Sequence, residues 1–464
     1  MEQKKTQNQN ALSKKTFLLI FLVLFSFKAF VNAQTKTGIE TQAQKEKRMA
    51  WWTNDRFGMF IHWGLYASPA RHEWVKNQEH LNNEQDQKYF DIFNPDHFDP
   101  KKWAAQAKAA GMKYVVLTTK HHEGFCLFDS KYTDYKATNT LAKRDLVREY
   151  VDAFRAQGLK IGFYYSLLDW HHPDYTIDRY HPIAPKDKSD TAYNRLNKGR
   201  DMAKYRLYLR NQITELLTNY GKIDILWCDF SFPGKSKDGP GKGKDDWGSV
   251  EIMKIIKKLQ PGIIVNNRLD LGNELADFET PEQVKPAELL KYKGKIWETC
   301  QTFSGSWGYY RDENKWKTHR QLLDLLITSV SNGGNLILNV GPTARGEFDY
   351  RATNALDSLG YWMHANDRSI YGCTFAPDQY TIPDQDKLTY NAAKKTLYLH
   401  LFHYPSDGKI ILTGYKGKIK YAQFLHDASE IKITENGSAP DDLVLTLPIL
   451  KPKYEIPVIE LFVK

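Results

Sequence analysis

Four ionisable side chains, Lys120-His121-His122-Glu123, stand in consecutive positions two threonines after the apolar run Tyr114-Val115-Val116-Leu117. A continuous β-branched run reads as a strand buried on both faces. Ionisable groups beside such a core are costly unless they do chemistry. The pattern recurs along the chain. FGMFIHWG carries His62 at its end, KIGFYYSLLDW carries Tyr165, Ser166 and Asp169, and IDILWCDF carries Asp229. IIVNNR ends on Asn267 and Arg268, and KIWET on Glu298. Polar residues at the C-terminal ends of successive strands are what the active face of a (β/α) barrel requires.

Asp229 follows Ile225-Leu226-Trp227-Cys228, so a buried strand would hold its carboxylate rigidly. A rigid carboxylate suits a glycosidase nucleophile, which must sit under an anomeric carbon. An aspartate at a strand end can also simply cap the next loop. His62, His121 and His122 admit two chemical readings. With Asp229 they could ligate a metal, as in barrel hydrolases. Neighbouring strand residues point to opposite sides, however, so His121 and His122 cannot both ligate unless the chain has already turned. Neutral imidazoles hydrogen-bonding sugar hydroxyls fit the pattern better.

These side chains need a frame, and the sequence supplies one. Seven apolar strands alternate with helical stretches at 101–110, 145–157, 201–220, 250–258 and 319–329, which argues for parallel βαβ units. The seventh strand is NLILNV (335–340), and the helix at 351–365 closes the region. The eighth strand is expected to be short or irregular. Beyond Asn366 the runs become short, lack helices and are separated by turn residues, which predicts a β-sandwich of roughly 90 residues. The expected organisation is an α/β, (β/α)8-like TIM barrel over 34–365 followed by a sandwich over 366–464, with long insertions at 66–99, 169–198 and 269–293 on the active face.

The 464 residues include 12 Trp, 27 Tyr and 23 Phe. That enrichment suits a protein that stacks sugar faces on rings, although a large core uses the same residues. Lys14 and Lys15 precede the apolar run 17–25, and Val31-Asn32-Ala33 offers a small-residue cleavage site, so residues 1–33 read as an export signal. The apolar run is too short to span a membrane. No cysteine lies near the cleavage point, which argues against a lipid anchor. The formal charge is +10, and five lysines against one glutamate in residues 1–33 leave about +6 on the rest. No basic face with interleaved aromatics marks a nucleic-acid partner. The Gly/Pro-rich lysine cluster 235–244 reads as a solvated mobile loop and lacks the phosphate-loop spacing. Cys126, Cys228, Cys300 and Cys373 match no metal-binding spacing and read as free, buried thiols. Asn436-Gly437-Ser438 is a sequon that matters only in an N-glycosylating host.

Taken together, FGMFIHWGLYASPARHEWV, YVVLTTKHHEGFCLFDSKYT, IGFYYSLLDW, DILWCDF, WETC and GGNLILNVGP resemble the α-L-fucosidases of glycoside hydrolase family 29. The resemblance runs from about Trp51 to Gly372. It implies a barrel-like catalytic domain followed by a β-sandwich, and a retaining exo-hydrolase that needs no metal or cofactor and acts on terminal α-L-fucose of glycans. On that resemblance Asp229 is the nucleophile. His62, Glu73, Trp74, His121, His122, Tyr165, Trp227 and Arg268 would bind fucose, with Trp307 or Trp316 walling the pocket around its methyl group. The acid/base would lie on the loop after the arginine strand, which offers Glu274, Glu279, Glu282 and Glu288. The pattern Asp277-Phe278-x-Thr280-x-Glu282 nominates Glu282. Apolar neighbours Pro286, Ala287, Leu289 and Leu290 would raise the pKa of Glu288, and this reading places Glu288 first and Glu282 second.

Two other functions remain open at this level. A metal-dependent barrel hydrolase built on the histidines would lose activity to a chelator. A catalytically inactive fucose-binding protein would bind free fucose without turning over an aryl fucoside. Linkage preference and oligomeric state are not encoded in any motif.

Overall fold

The computed structural model describes residues 40–272, 274–382, 385–435 and 439–464. The predicted signal (1–33) and the Asn436-Gly437-Ser438 sequon lie outside the described residues. The chain divides into two compact units, Met1–Arg48 and Met49–Lys464. The barrel, its site and the C-terminal sheets all belong to the second.

Seven strands form one all-parallel sheet: β1 (Phe57–Ile61), β2 (Tyr114–Lys120), β3 (Lys160–Ser166), β4 (Ile225–Asp229), β5 (Ile264–Val265), β6 (Glu298–Thr302) and β7 (Asn335–Val340). Their order in the sheet is β5-β4-β3-β2-β1-β7-β6. The edges left at β5 and β6 are joined by an irregular eighth segment. Asn266 bridges Phe278, Glu279 bridges Trp297 and Glu282 bridges Cys300, all in the parallel sense. Residues 277–283 therefore run where the eighth barrel strand belongs, paired only by isolated bridges.

The helices between strands start where the sequence caps them. The side chains of Asp99, Asp145, Asp201 and Asp349 accept from first-turn backbone N–H groups of helices Pro100–Ala109, Leu146–Ala156, Met202–Asn219 and Tyr350–Asn366. Thr318 and Gln321 form a capping box at His319–Ser331. Each such cap stabilises its helix by about 1 kcal/mol. Strand residues alternate between two cores. Phe60, Tyr114, Val116, Tyr164, Trp227 and Cys300 fill the barrel interior, while Met59, Val115, Leu117, Tyr165 and Cys228 pack outward against the helices. At the end of β2 the Lys120 Nζ reaches Asp169 Oδ2 at 3.0 Å, both buried, on the outer side. Removing one partner of such a pair typically costs about 3–5 kcal/mol. The four cysteines are free and buried.

Past the barrel helices come a five-stranded antiparallel sheet (Thr374–Phe375, Lys387–Asn391, Thr396–His400, Val458–Val463, Ile419–Phe424) and a three-stranded one (Lys409–Thr413, Asp442–Thr446, Lys432–Thr434). They share an apolar core that includes Leu399, Leu412, Phe424, Leu445 and Leu461. Among the described residues no helix is long and apolar enough to cross a membrane.

Two sequence expectations are corrected here. The lysine-rich segment 235–244 is solvated at Lys235, Lys237 and Lys244 but is not an irregular loop. Phe232–Ser236 and Gly239–Lys242 pair as an antiparallel hairpin, and Lys242 is buried against Asp178 Oδ2 at 2.5 Å. A lysine stem that reaches a buried carboxylate anchors the ribbon, which composition alone could not reveal. Glu298 also differs, because it begins β6 instead of ending it and so lies at the opposite end of the barrel from the polar strand ends. There the Tyr114 hydroxyl donates to its Oε2. Burial, opposed by that hydrogen bond, pushes its carboxyl up to about 8. Glu298 is thus protonated in the folded chain between about pH 4.5 and 8 and ionised in the unfolded one. The folded state holds the extra proton, so stability falls as pH rises through that window by up to about 1.4 kcal/mol per pH unit. Glu298→Gln should abolish this loss. In denaturant titrations at pH 5 and pH 8, its stability relative to the parent should rise with pH, and a constant difference would contradict the assignment.

Candidate active site

The polar strand ends converge on a narrow inner pocket that opens into an outer chamber of about 540 Å³. The inner pocket is lined by His62, Glu73, Trp74, His121, His122, Tyr164, Trp227, Asp229, Arg268, Glu282 and Trp307, with Phe60, Phe230 and Cys300 completing the wall. Glu73, Trp74, Glu282 and Trp307 border both spaces.

Asp229 ends β4 and is only 8% exposed. Both of its oxygens are held. Oδ2 accepts from the Tyr164 hydroxyl at 2.7 Å and Oδ1 from Arg268 Nη1 at 3.0 Å. Burial raises its pKa above the usual carboxylate value, Arg268 and Tyr164 oppose that, and the charge of Glu282 adds to it. The next residue, Phe230, has φ +81°, a left-handed conformation that costs a non-glycine residue about 1–3 kcal/mol and recurs at functional sites. Its ring packs between Trp74 and His122, at 5.6 and 5.1 Å between centroids.

Arg268 stands just after β5. Its Nη2 donates to Glu282 Oε2 at 2.7 Å and its Nε to Thr280 Oγ1 at 3.0 Å. The guanidinium lies over the Trp227 ring, 4.8 Å from the centroid. One cation therefore bridges two carboxylates. Asp229 sits at the end of a regular strand, and Glu282 at the end of the irregular eighth segment, at the junction of the two spaces.

Two histidines have their tautomers set by neighbours. The Asn339 amide donates to the Trp307 carbonyl at 2.6 Å, which leaves its Oδ1 facing His62 Nδ1 at 2.7 Å. The Ser166 hydroxyl donates to the Leu168 carbonyl at 2.8 Å, so its oxygen is free to accept from His122 Nδ1 at 2.7 Å. In both rings Nδ1 carries the proton and Nε2 keeps its lone pair. Burial holds both pKa values well below the ordinary histidine value, so both rings are neutral acceptors. His121 and His122 both line the pocket, 4.0 Å between centroids, because β2 ends at Lys120 and the chain has turned. Glu73 Oε2 accepts from the Gly308 backbone N–H at 2.8 Å and from the Ser306 hydroxyl at 3.3 Å.

Three expected residues lie elsewhere. Tyr165 faces outward and donates to Gln212 Oε1 at 2.7 Å. Its neighbour Tyr164 occupies the pocket. In the β3–β4 register Tyr164 pairs with Trp227 and Ser166 with Asp229, whereas Tyr165 pairs with Cys228. Period-two alternation from Asp229 would have pointed to Tyr164. Trp316 lines neither space. Its Nε1 donates to the Glu313 carbonyl at 3.2 Å, and Arg351 sits 4.5 Å over its ring. Glu288 is exposed and outside both spaces, with its carboxylate accepting from the Lys285 N–H at 3.1 Å. It is exposed even though Leu289 beside it in sequence is buried. Ser166 and Asn339, which orient the histidines, lie within quoted strand motifs but were given no role there, and both stand on inward-facing strand positions.

A family model described as alpha-L-fucosidase matches residues 24–368. Rattus norvegicus plasma alpha-L-fucosidase is 29% identical over 93% of this chain and 95% of its own length. Among solved structures, alpha-L-fucosidase isoenzyme 1 from Paenibacillus thiaminolyticus is 44% identical, covering 90% of this chain and 99% of that one, with a TM-score of 0.82. An alpha-L-fucosidase from Bacteroides thetaiotaomicron, solved as a trapped covalent intermediate in complex with 2-fluoro-fucosyl fluoride, is 29% identical over 93% of this chain and 98% of its own, with a TM-score of 0.77. With the strand-end carboxylate, the bridging arginine and the histidine-lined pocket on the same barrel face, the chain belongs to the alpha-L-fucosidases of glycoside hydrolase family 29.

Proposed function

We propose that this protein is an exported, exo-acting, retaining α-L-fucosidase that releases terminal α-L-fucose from glycans by double displacement, with Asp229 as nucleophile and Glu282 as acid/base. The observation that carries the assignment of roles is the Asp229–Arg268–Glu282 bridge, set where the inner pocket meets the outer chamber. A fucosyl unit in the inner pocket would meet Asp229 from one side of its anomeric carbon. The leaving oxygen would point towards the outer chamber, beside Glu282. Asp229 attacks while Glu282 protonates the leaving oxygen, and Glu282 then takes a proton from the water that releases fucose. Arg268 and the Tyr164 hydroxyl hold the Asp229 oxygens for that attack. The covalent intermediate trapped in the Bacteroides thetaiotaomicron relative supports the two-step route, and the Lys14-Lys15 and apolar 17–25 leader supports export.

Asp229→Asn should lower turnover of every fucoside by orders of magnitude, activated aryl fucosides included. Glu282→Gln should spare the first step on a good aryl leaving group, cripple oligosaccharides, and recover turnover when azide replaces water. Glu288→Gln should stay within about twofold of the parent on both substrate types, as a surface carboxylate with no catalytic part does. Azide rescue of the Glu288 variant in place of the Glu282 one would reverse the assignment.

Proton NMR of the first-formed sugar should show α-fucose, and β-fucose appearing first would rule out double displacement. Between the adjacent tyrosines, Tyr164→Phe removes a hydrogen bond to the nucleophile and should cut kcat/KM by about 10-fold or more, since a hydrogen bond to a charged group contributes about 1.5–3 kcal/mol. Tyr165→Phe should leave kcat/KM unchanged and lower stability by about 1 kcal/mol through the lost bond to Gln212.

A further inference from the structure

His62 and His122 each have Nδ1 held by a neutral side chain, but His121, the third ring in the pocket, does not. Its Nδ1 has no hydrogen-bond partner among the described residues and faces Glu123 Oε2 at 3.4 Å, without the alignment of a hydrogen bond. Glu123 is itself only 3% exposed, and neither of its carboxylate oxygens has a hydrogen-bond partner among the described residues. A buried carboxylate left without donors is among the costliest arrangements a fold can keep.

The surroundings make room for this carboxylate without satisfying it. Gly64, in the segment after β1, approaches so closely that a Cβ there would stand 2.6 Å from Glu123 Oε1. Tyr66 is the other polar ring nearby, 5.1 Å from His121 between centroids. Its hydroxyl pairs with Thr118 Oγ1 at 3.4 Å, and burial together with the Glu123 charge pushes its pKa well above the ordinary tyrosine value. The His121 imidazole is thus the group placed to give Glu123 a proton donor.

We infer that Glu123 is a positioning residue for His121, its carboxylate holding the imidazole with the proton on Nδ1 so that Nε2 serves the pocket as an acceptor. A small rotation of the ring aligns Nδ1–H with Oε2, and the negative charge behind the ring makes Nε2 the stronger hydrogen-bond acceptor, as carboxylates do for histidines in other sites. All three pocket histidines then offer Nε2 lone pairs, and a ligand rich in hydroxyl donors is what such a set selects. The inference rests on the inner pocket being the fucose site.

A double-mutant cycle on kcat/KM for an activated aryl fucoside tests it. Glu123→Gln keeps the shape, removes the charge and should lower kcat/KM by about 10- to 100-fold, the range seen when the carboxylate behind a metal-ligating histidine is removed, mostly through KM. In a His121→Phe background the same substitution should change kcat/KM less than about twofold, because its target is gone. A merely structural role would instead lower activity by the same factor in both backgrounds. That additivity, or a single Glu123→Gln variant within about twofold of the parent, would overturn the inference while leaving the fucosidase reading intact. A parent enzyme inert on the fucoside would overturn both. Should Glu123→Gln fail to accumulate as folded protein, Gly64→Ala displaces the carboxylate from the other side, and the same cycle with His121→Phe reads out the same coupling.

Discussion

One guanidinium holds the site together. Arg268 binds Asp229, Glu282, Thr280 and the face of Trp227, and these contacts join the end of β4, the end of β5 and the irregular eighth segment. Two carboxylates that share one partner repel each other, and the charge of Glu282 adds to burial in raising the pKa of Asp229. The cation between them offsets that repulsion, and burial strengthens its attraction to Asp229, the enclosed one of the pair. The planar fork matters as much as the charge. Separate nitrogens of Arg268 serve Asp229 and Glu282, a geometry that a lysine ammonium cannot reproduce.

That dependence explains which parts of the molecule were legible in the sequence. Six of the seven strands, the helices between them and the switch to short strands after Asn366 all carry strong local signals and occur where periodicity places them, whereas β6 begins at Glu298, where the apolar run had suggested its end. Asp229, His62 and Arg268 were legible for the same reason, since each stands at or just beyond the end of an apolar run. Glu282 stands at a strand end too, but its strand is written as DFETPEQ, without an apolar run, and is held by isolated bridges. Apolar neighbours in sequence pointed to Glu288 instead, and that argument failed because adjacency along a chain is not enclosure in space. Leu289 is buried while Glu288 turns to solvent.

The exchange of Tyr165 for Tyr164 has a different origin. Both tyrosines are buried and both hydroxyls are bonded, so neither composition nor burial separates them. Only parity along the strand does. Counting from Asp229 through the register, Ser166 and Tyr164 share the inward face with Trp227, and Tyr165 must share the outward face with Cys228. Lys120 departs from parity: counted from Tyr114 and Val116 it would face inward, but the register shifts between Thr118 and Lys120, so it pairs with the outward Tyr165 and its ammonium is spent on Asp169 behind the barrel wall. His121 and His122 escape parity because the strand has ended before them.

The two carboxylates are consequently held with unequal stiffness. Asp229 is gripped by two hydrogen bonds, ends a regular strand and is followed by a left-handed Phe230 that few other environments would tolerate. Glu282 is more exposed, and its segment is paired by single bridges to its neighbours. Local stability tracks the number of buried contacts and protected backbone bonds, so the inner pocket is the rigid half of the site and its mouth the compliant half. On the roles proposed for Asp229 and Glu282, that division matches the two demands of a double displacement. A nucleophile must meet one carbon in one geometry in both steps. An acid/base must serve a departing oxygen in the first step and an arriving water in the second, and a carboxylate on a less constrained segment can follow both.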